Sequence, residues 1–457
     1  MDLDSAPSPQ RPQPTLTAFD AIAMVIGIVV GIGIFTFPAL VAHNAATPSH
    51  IILLWLGGGA ISLVGALCYA ELASAYPNAG GEYHFVAGAF GRETGFIFAW
   101  ARMTVIQTGA IALVAFIMGD YATRIHSLGP YSSSIYAGIA VVALTGANVL
   151  GTWQGKWLQN LLAVGITTLL LVAIAVGLTT ATNGTMSSAP PPAPSNVATS
   201  IGTAMIFILL TYGGWNEAAY LSAEVKDARR NMVRVLVVSI LLITVVYVLV
   251  NLAYLRVLGI DGMRAASTTI GADLMRREFG EAGALVLSVT VIIAALSTAN
   301  ATIFTGARTN YALGHDFPPL AFLGRWHARA AAPVNALLLQ GAITLGLVVA
   351  GAFTRTGVEA MVAYLTPVFW FFMLLTALSL FVLRFRNRGR ELPFRVPLYP
   401  VTPVLFVLMC LYMLNSGIDY ARGSYAGFAS LAGILVVLAG IPLLVWARLR
   451  ARPRAAE

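Results

Sequence analysis

Apolar runs of about 20 residues, each long enough to cross a bilayer, recur along the whole of this 457-residue chain. That recurrence constrains the fold more than any motif does. The chain is 58% hydrophobic and only 10% charged, against roughly 25% charged in a soluble domain. No segment is large enough for a separate soluble domain. Twelve spans are expected, over 17–42, 51–75, 95–122, 132–150, 157–179, 199–224, 232–257, 283–312, 333–353, 357–384, 399–420 and 426–448. No strand-like alternation with turn signals competes with them, so they read as helices rather than a barrel. The expected fold class is an all-α integral membrane protein.

The net charge of +8 invites a nucleic-acid reading, which its distribution opposes. With an internal N-terminus and twelve spans, the inner side collects 19 Lys/Arg and the outer side 7, while Arg102 lies within a span. This is the positive-inside bias, and it places both termini in the cytoplasm of a multi-pass protein of the cytoplasmic membrane. The implied surroundings are a lipid bilayer, with no nucleic-acid partner. Residues 1–16 are polar and Pro-rich; they read as a disordered cytoplasmic tail, not a cleavable signal. Residues 449–457 form a basic tail, for which anionic lipid is a secondary partner. Cys68 and Cys410 fall within spans and read as core residues. The outer loop 180–198 carries the sequon "NGT" and the stiff connector "APPPAPS".

The first span holds "VVGIGIF" at 29–35. Glycine weakens helices, so Gly27, Gly31 and Gly33 need a reason. Gly27 and Gly31 have the spacing of a helix-packing face. Gly33, two residues after Gly31, does not share it, and Pro38 follows. The other reading is a helix break, tolerable at mid-membrane depth only where the freed backbone lines a cavity or holds a ligand. A half-helix N-terminus at such a break suits a carboxylate, and a half-helix C-terminus suits an ammonium group or a cation. The sixth span, "FILLTYGGWNEAAYLSAEV", repeats the device at Gly213–Gly214. The breaks are five spans apart, so the two halves have opposite orientation. That pattern points to a transporter with inverted repeats and a midplane site.

These stretches resemble the amino acid–polyamine–organocation transporters, and among them the L-type amino acid transporter branch. "GIGIF" resembles the first-helix signature, and "CYAELASAYPNAGGEYHFVAGAFG" (68–91) the second helix and following inner loop. "YGGWNEAAYLSAEVKDARRNMVR" (212–234), "VYVLVNLAYLRVLG" (246–259) and "NATIFTGARTNYALGHDFPP" (300–319) are similar to the sixth, seventh and eighth helices. The resemblance implies the LeuT-type 5+5 inverted repeat with helices 1 and 6 broken, plus two extra helices. Residues 17–179 and 199–384 would be the repeats, and 385–448 helices 11 and 12. It implies a zwitterionic amino acid between helices 1 and 6, its carboxylate on the amides of Gly31, Ile32 and Gly33. The ammonium would lie on the carbonyl of Val29 and those near Leu210 and Gly213. Ile32 stands where many members carry Ser, and Leu210 where an aromatic gate is common. The third-to-fourth loop lacks the Cys that bonds an accessory subunit in animal members, so no disulfide-linked partner is expected.

No bound cofactor is implied; a coupling ion is. Ile166 occupies the place of a fifth-helix Lys found in many proton-linked or exchanging relatives. Ser297 and Thr298 match a sodium-ligating hydroxyl pair of sodium-coupled members of the fold. Carbonyls of Gly27, Val30 and Ala294 would complete that site, an oxygen set that suits a hard cation. Ordinary packing of the two hydroxyls is the alternative, with exchange or proton coupling in place of sodium.

Glu217, just after the sixth-helix break, is expected to face the cavity or a partner, because a charged residue within a span costs about 2.5–3.5 kcal/mol on insertion scales. It could bind a cationic group, take up a proton, or pair with Arg102. Asn216 reads as a site contact or a packing amide, and Tyr212 and Trp215 as gate residues flanking the break. Glu71 is expected to be a gate or structural residue, and Gln107 a network residue. Asp20 and Asp120 are expected as solvated span ends, and Glu224 as part of a solvated or helix-capping charge network, with an inner-gate latch to Arg229 or Arg230 as the alternative. With no metal cluster, nucleophile–base pair or cofactor motif, the chain does not read as an enzyme. The function expected is secondary transport of amino acids, with transport of polyamines or cationic amines, or a non-transporting sensor, as rivals.

Overall fold

The apolar runs fold as helices throughout. The computed structural model describes residues 16–450 apart from 79, 151–155, 180–196, 223, 318–319, 328–329, 331, 355, 388, 390–391 and 424–426. Both tails and the loop with the sequon and the Pro-rich connector therefore lie largely outside the described residues. The first span is α1 (Ala18–Val29), a 3-10 turn (Ile32–Phe35) and α2 (Phe37–His43). α3 (Pro48–Ala75) and α4 (Gly81–Phe90) follow. The third span is α5 (Arg92–Ala101), a π-helical turn (Arg102–Ile106) and α6 (Gln107–Ile125). Then come α7 (Ser132–Val149), α8 (Lys156–Thr179) and α9 (Val197–Tyr212). A 3-10 turn (Trp215–Glu217) and α10 (Ala218–Leu221) complete the sixth span. The rest is α11 (Ala228–Ala265), α12 (Ile270–Asp316), α13 (Val334–Thr354), α14 (Gly357–Arg386), α15 (Val401–Gly423), α16 (Gly427–Leu438) and α17 (Gly440–Arg450).

Among the described residues, ten helices are long and apolar enough to cross a membrane. Two shorter apolar helices, Gly165–Thr179 and Ser200–Tyr212, accompany them. The chain is a multi-pass membrane protein. α11 and α12 extend well past the spans expected at 232–257 and 283–312. Each bends at a left-handed glycine, Gly259 (φ 70°) and Gly280 (φ 66°), a conformation glycine adopts without steric cost.

Each end of the bundle is tied by polar contacts. On the face that carries the basic loops, Glu71 meets the Arg384 guanidinium at 3.3 Å and accepts the Val396 amide at 2.7 Å. Leu16 pairs by backbone with Glu224 and Lys226, so the first span is tethered to the loop after the sixth. Glu224 is exposed and forms no ion pair with Arg230 among the described residues; the Arg229 side chain, the other candidate partner of a latch, lies outside them. On the opposite face Arg264 donates to the carbonyls of Ala42 and Ala45, and Arg124 to Thr269 and Asp273. Asp120, expected to be solvated, instead accepts hydrogen bonds from Ser133 and Thr268, because the segment leading into α12 lies over it. Asp20 does remain exposed, in a capping box with Thr17.

Small residues let these helices approach. A Cβ at Gly59 would sit 2.6 Å from the Thr244 methyl of α11, whereas one at Gly57 would meet nothing within 4 Å. Thr244 is β-branched and stiff, so it cannot yield. We expect Gly59→Ala to lower the detergent melting temperature by several degrees and Gly57→Ala to leave it unchanged or raise it, measured by fluorescence-detected thermal unfolding.

Candidate functional site

The first helix stops where the glycines begin. α1 ends at Val29, Gly31 is extended (φ −112°, ψ −159°), and the chain re-enters as the turn Ile32–Phe35. A Cβ at Gly27 would meet nothing, and one at Gly31 only the Val29 carbonyl at 3.9 Å. The glycines therefore serve the break and not a packing face. The Gly31 amide turns back onto the Val29 carbonyl at 2.8 Å. Of the three amides expected to hold a carboxylate, those of Ile32 and Gly33 remain, first-turn donors with no acceptor inside their own helix. In the sixth span α9 ends at Tyr212, and Gly214 takes a left-handed conformation (φ 108°, ψ −20°). The two breaks touch: a Cβ at Gly214 would lie 2.9 Å from Ile28 Cγ2. Backbone conformation and close approach together require glycine there.

The freed carbonyls are met by tyrosines. The Tyr247 hydroxyl of α11 lies 2.8 Å from the Val29 carbonyl and 3.0 Å from that of Thr211. A hydroxyl has one hydrogen, so two acceptors from the two breaks share one donor. Tyr254 donates to the Ile34 carbonyl at 3.3 Å and Tyr121 to that of Phe35 at 2.6 Å. Tyr212 is fully buried, donates to the Trp55 carbonyl, and packs edge-on against Tyr247 at 5.0 Å. The Leu210 carbonyl accepts the Gly213 amide, so the carbonyls on Tyr247 are those of Val29 and Thr211. Tyr247 and Tyr254 carried no role in the sequence reading. The available signal was their seven-residue spacing, which puts both on one helix face.

A small aromatic cleft lies behind the sixth-helix break, lined among others by Ser62, Gly213, Trp215, Asn216, Trp370 and Phe406. The Ser62 hydroxyl is buried there without a hydrogen-bond partner. Below it sits a buried charged cluster. Arg102, at the start of the π turn, reaches both oxygens of Glu217 at 3.1 and 3.0 Å, the Tyr220 hydroxyl at 2.8 Å and Glu82 at 3.5 Å. Glu82 of α4 accepts from Tyr69 at 2.6 Å and from the Asn216 amide at 3.1 Å. Burial pushes the Glu82 carboxyl above its ordinary range, and the guanidinium opposes that shift. Of the readings open for Glu217, pairing with Arg102 is the one formed. π turns recur at functional sites, and this one presents the only arginine of the third span's interior.

The cation candidates are less well enclosed. Val30 and Ala294 are buried, Ser297 is half-buried, and Gly27 and Thr298 are exposed. The Thr298 carbonyl accepts the Thr302 hydroxyl. Ile166 is buried on α8, and Gln107 is buried with its Oε1 unpartnered. Because the Val29 and Thr211 carbonyls share the one Tyr247 hydrogen, Tyr247→Phe leaves an acceptor unpaired in the empty protein that a bound ammonium would pair, and we expect amino acid binding to tighten by up to about ten-fold. Scintillation proximity binding with the purified variant measures it.

Comparison with known proteins agrees with this geometry. The profile of the family described as Amino acid permease (AA_permease_2) matches residues 16–439. The b(0,+)-type amino acid transporter 1 of Mus musculus is 26% identical over 430 residues, covering 92% of this chain and 85% of its own. The serine/threonine exchanger SteT of Bacillus subtilis (strain 168) is 25% identical over 433 residues, covering 93% and 94%. The Asc-type amino acid transporter 1 of Mus musculus is 26% identical over 436 residues, covering 93% and 79%. The chain thus belongs to the amino acid permease family, in the L-type amino acid transporter branch of the amino acid–polyamine–organocation superfamily.

Proposed function

We propose that this chain exchanges neutral amino acids across the cytoplasmic membrane by alternating access, its basic face and both termini in the cytoplasm. The observation that carries the reading is the meeting of two broken helices at Gly31 and Gly214, whose polar backbone faces one point. The α-carboxylate binds the amides of Ile32 and Gly33. The α-ammonium joins the carbonyls of Val29 and Thr211, which have one hydrogen between them. Two five-helix inverted repeats, 17–179 and 199–384, build the fold, and one helix bundle rocks against the other around this point.

Arg102 supports a neutral substrate. Its guanidinium takes both oxygens of Glu217, so that carboxylate is not free for a cationic side chain or a polyamine. Exchange fits the name of the serine/threonine exchanger among the relatives. Sodium coupling through Gly27, Val30, Ala294, Ser297 and Thr298 is the second reading, and the exposure of Gly27 and Thr298 weighs against it. Cys68 and Cys410 are both buried; a carrier that acts without a disulfide-linked subunit is part of this proposal.

Counterflow tests the proposal. Proteoliposomes loaded with unlabelled serine should accumulate tracer alanine equally in sodium and choline buffers, and external lysine or putrescine should not compete. Loss of uptake in choline would instead support the five-residue cation site. Absence of uptake with retained amino acid binding would make the chain a sensor.

A further inference from the structure

The orientation of one side-chain amide in the cleft is fixed from outside it. Asn216 lines the cleft and is 5% exposed. Its Nδ2 donates to Glu82 Oε1 at 3.1 Å. The same oxygen accepts the Tyr69 hydroxyl at 2.6 Å, and Glu82 Oε2 faces the Tyr220 hydroxyl and Arg102 at 3.4 and 3.5 Å. Every group around this carboxyl is a donor or can act as one, so the Asn216 amide must present its NH2 to Glu82. Its carbonyl oxygen is then left without a partner among the described residues, beside an aromatic wall of Trp215, Trp370 and Phe406. Beside the indoles of Trp215 and Trp370, the polar side chain that shares the cleft is Ser62, whose hydroxyl is unpartnered.

We propose that Glu82, on the loop helix α4 and outside the helix breaks, is a positioning residue that sets the Asn216 amide as a hydrogen-bond acceptor toward the substrate side chain, so that the cleft selects side chains carrying a donor. The inference rests on the reading of the chain as a neutral amino acid exchanger. Gly213 belongs to both the break and the cleft; the cleft holds only about 10 Å³ in this conformation, room for about one water, so it must widen beside Asn216 for a side chain leaving the break to enter it. A hydroxyl-bearing side chain pairs with the acceptor. A hydrocarbon of the same shape leaves it desolvated and unpaired, the arrangement that discriminates most strongly between near-isosteres. Threonine and valine are such a pair, alike in shape and different in the hydroxyl.

Glu82→Gln inverts this arrangement. Arg102 carries donors only, so the new NH2 turns away from it, toward Tyr69 and Asn216. The Asn216 amide then flips and offers its NH2 to the cleft. The experiment is kcat/KM for threonine and for valine in proteoliposomes, with alanine as the side chain too small to reach the amide. We expect wild type to favour threonine by roughly ten-fold, one hydrogen bond's worth. In Glu82→Gln the ratio should fall below about two, through KM for threonine, with alanine less affected. If Glu82→Gln does not insert, Asn216→Leu, which removes the acceptor at similar volume, carries the same expectation for the ratio. A uniform fall in kcat for all three substrates at an unchanged ratio would make Glu82 merely structural and overturn the proposal. A wild type that carries threonine and valine equally would overturn it too. A wild type that carries none of the three would overturn the exchanger reading along with it.

Discussion

A backbone that leaves its helix inside a bilayer has no water to satisfy it, and the rest of this structure depends on how that demand is met. The breaks at Gly31 and Gly214 free carbonyls and amides in the middle of the protein. Tyr247, Tyr254 and Tyr121 supply hydroxyls to the carbonyls of Val29, Thr211, Ile34 and Phe35. The donors reach in from α11 and α6, and α3 packs Trp55 behind them. The amides of Ile32 and Gly33 have no acceptor inside their own helix. In the proposed function an open backbone is both the cost of the architecture and the means by which a zwitterion is recognised.

Charge inside the bundle follows the same rule. A lone carboxylate or guanidinium at this depth would cost several kcal/mol. Arg102 has two carboxylate neighbours on different elements, Glu82 on α4 and Glu217 in the turn after Gly214. It neutralises Glu217, which would otherwise draw cations toward the pocket, and it joins the third span to the part of the sixth beyond Gly214. The π turn that places it also interrupts the helix beside Gln107.

Much of this was legible in the sequence. The glycines of "VVGIGIF" and "YGGWNE" marked both breaks, because Gly33 lies off the packing face of Gly27 and Gly31 and Gly213 and Gly214 are adjacent, neither of which a packing face requires. The apolar runs marked the spans to within a few residues, except where α11 and α12 continue past Gly259 and Gly280. Those extensions are amphipathic and lie beyond the apolar run, so hydropathy could not find them. Tyr247 and Glu82 escaped because each has a partner more than a hundred positions away along the chain, Val29 for Tyr247 and Asn216 for Glu82, and local pattern carries no trace of that. Asp120 was misread for a related reason. A carboxylate at a span end is usually solvated, and only the fold reveals the segment that covers it.

The central claim is that the two breaks form one binding point for an amino acid. A cryo-EM structure of the protein with a bound neutral amino acid tests it most directly. The account predicts the carboxylate within hydrogen-bond distance of the Ile32 and Gly33 amides, with the ammonium at the Val29 and Thr211 carbonyls beside Tyr247. Substrate density elsewhere, with α1 and α9 meeting as they do here and no ligand between them, would contradict it.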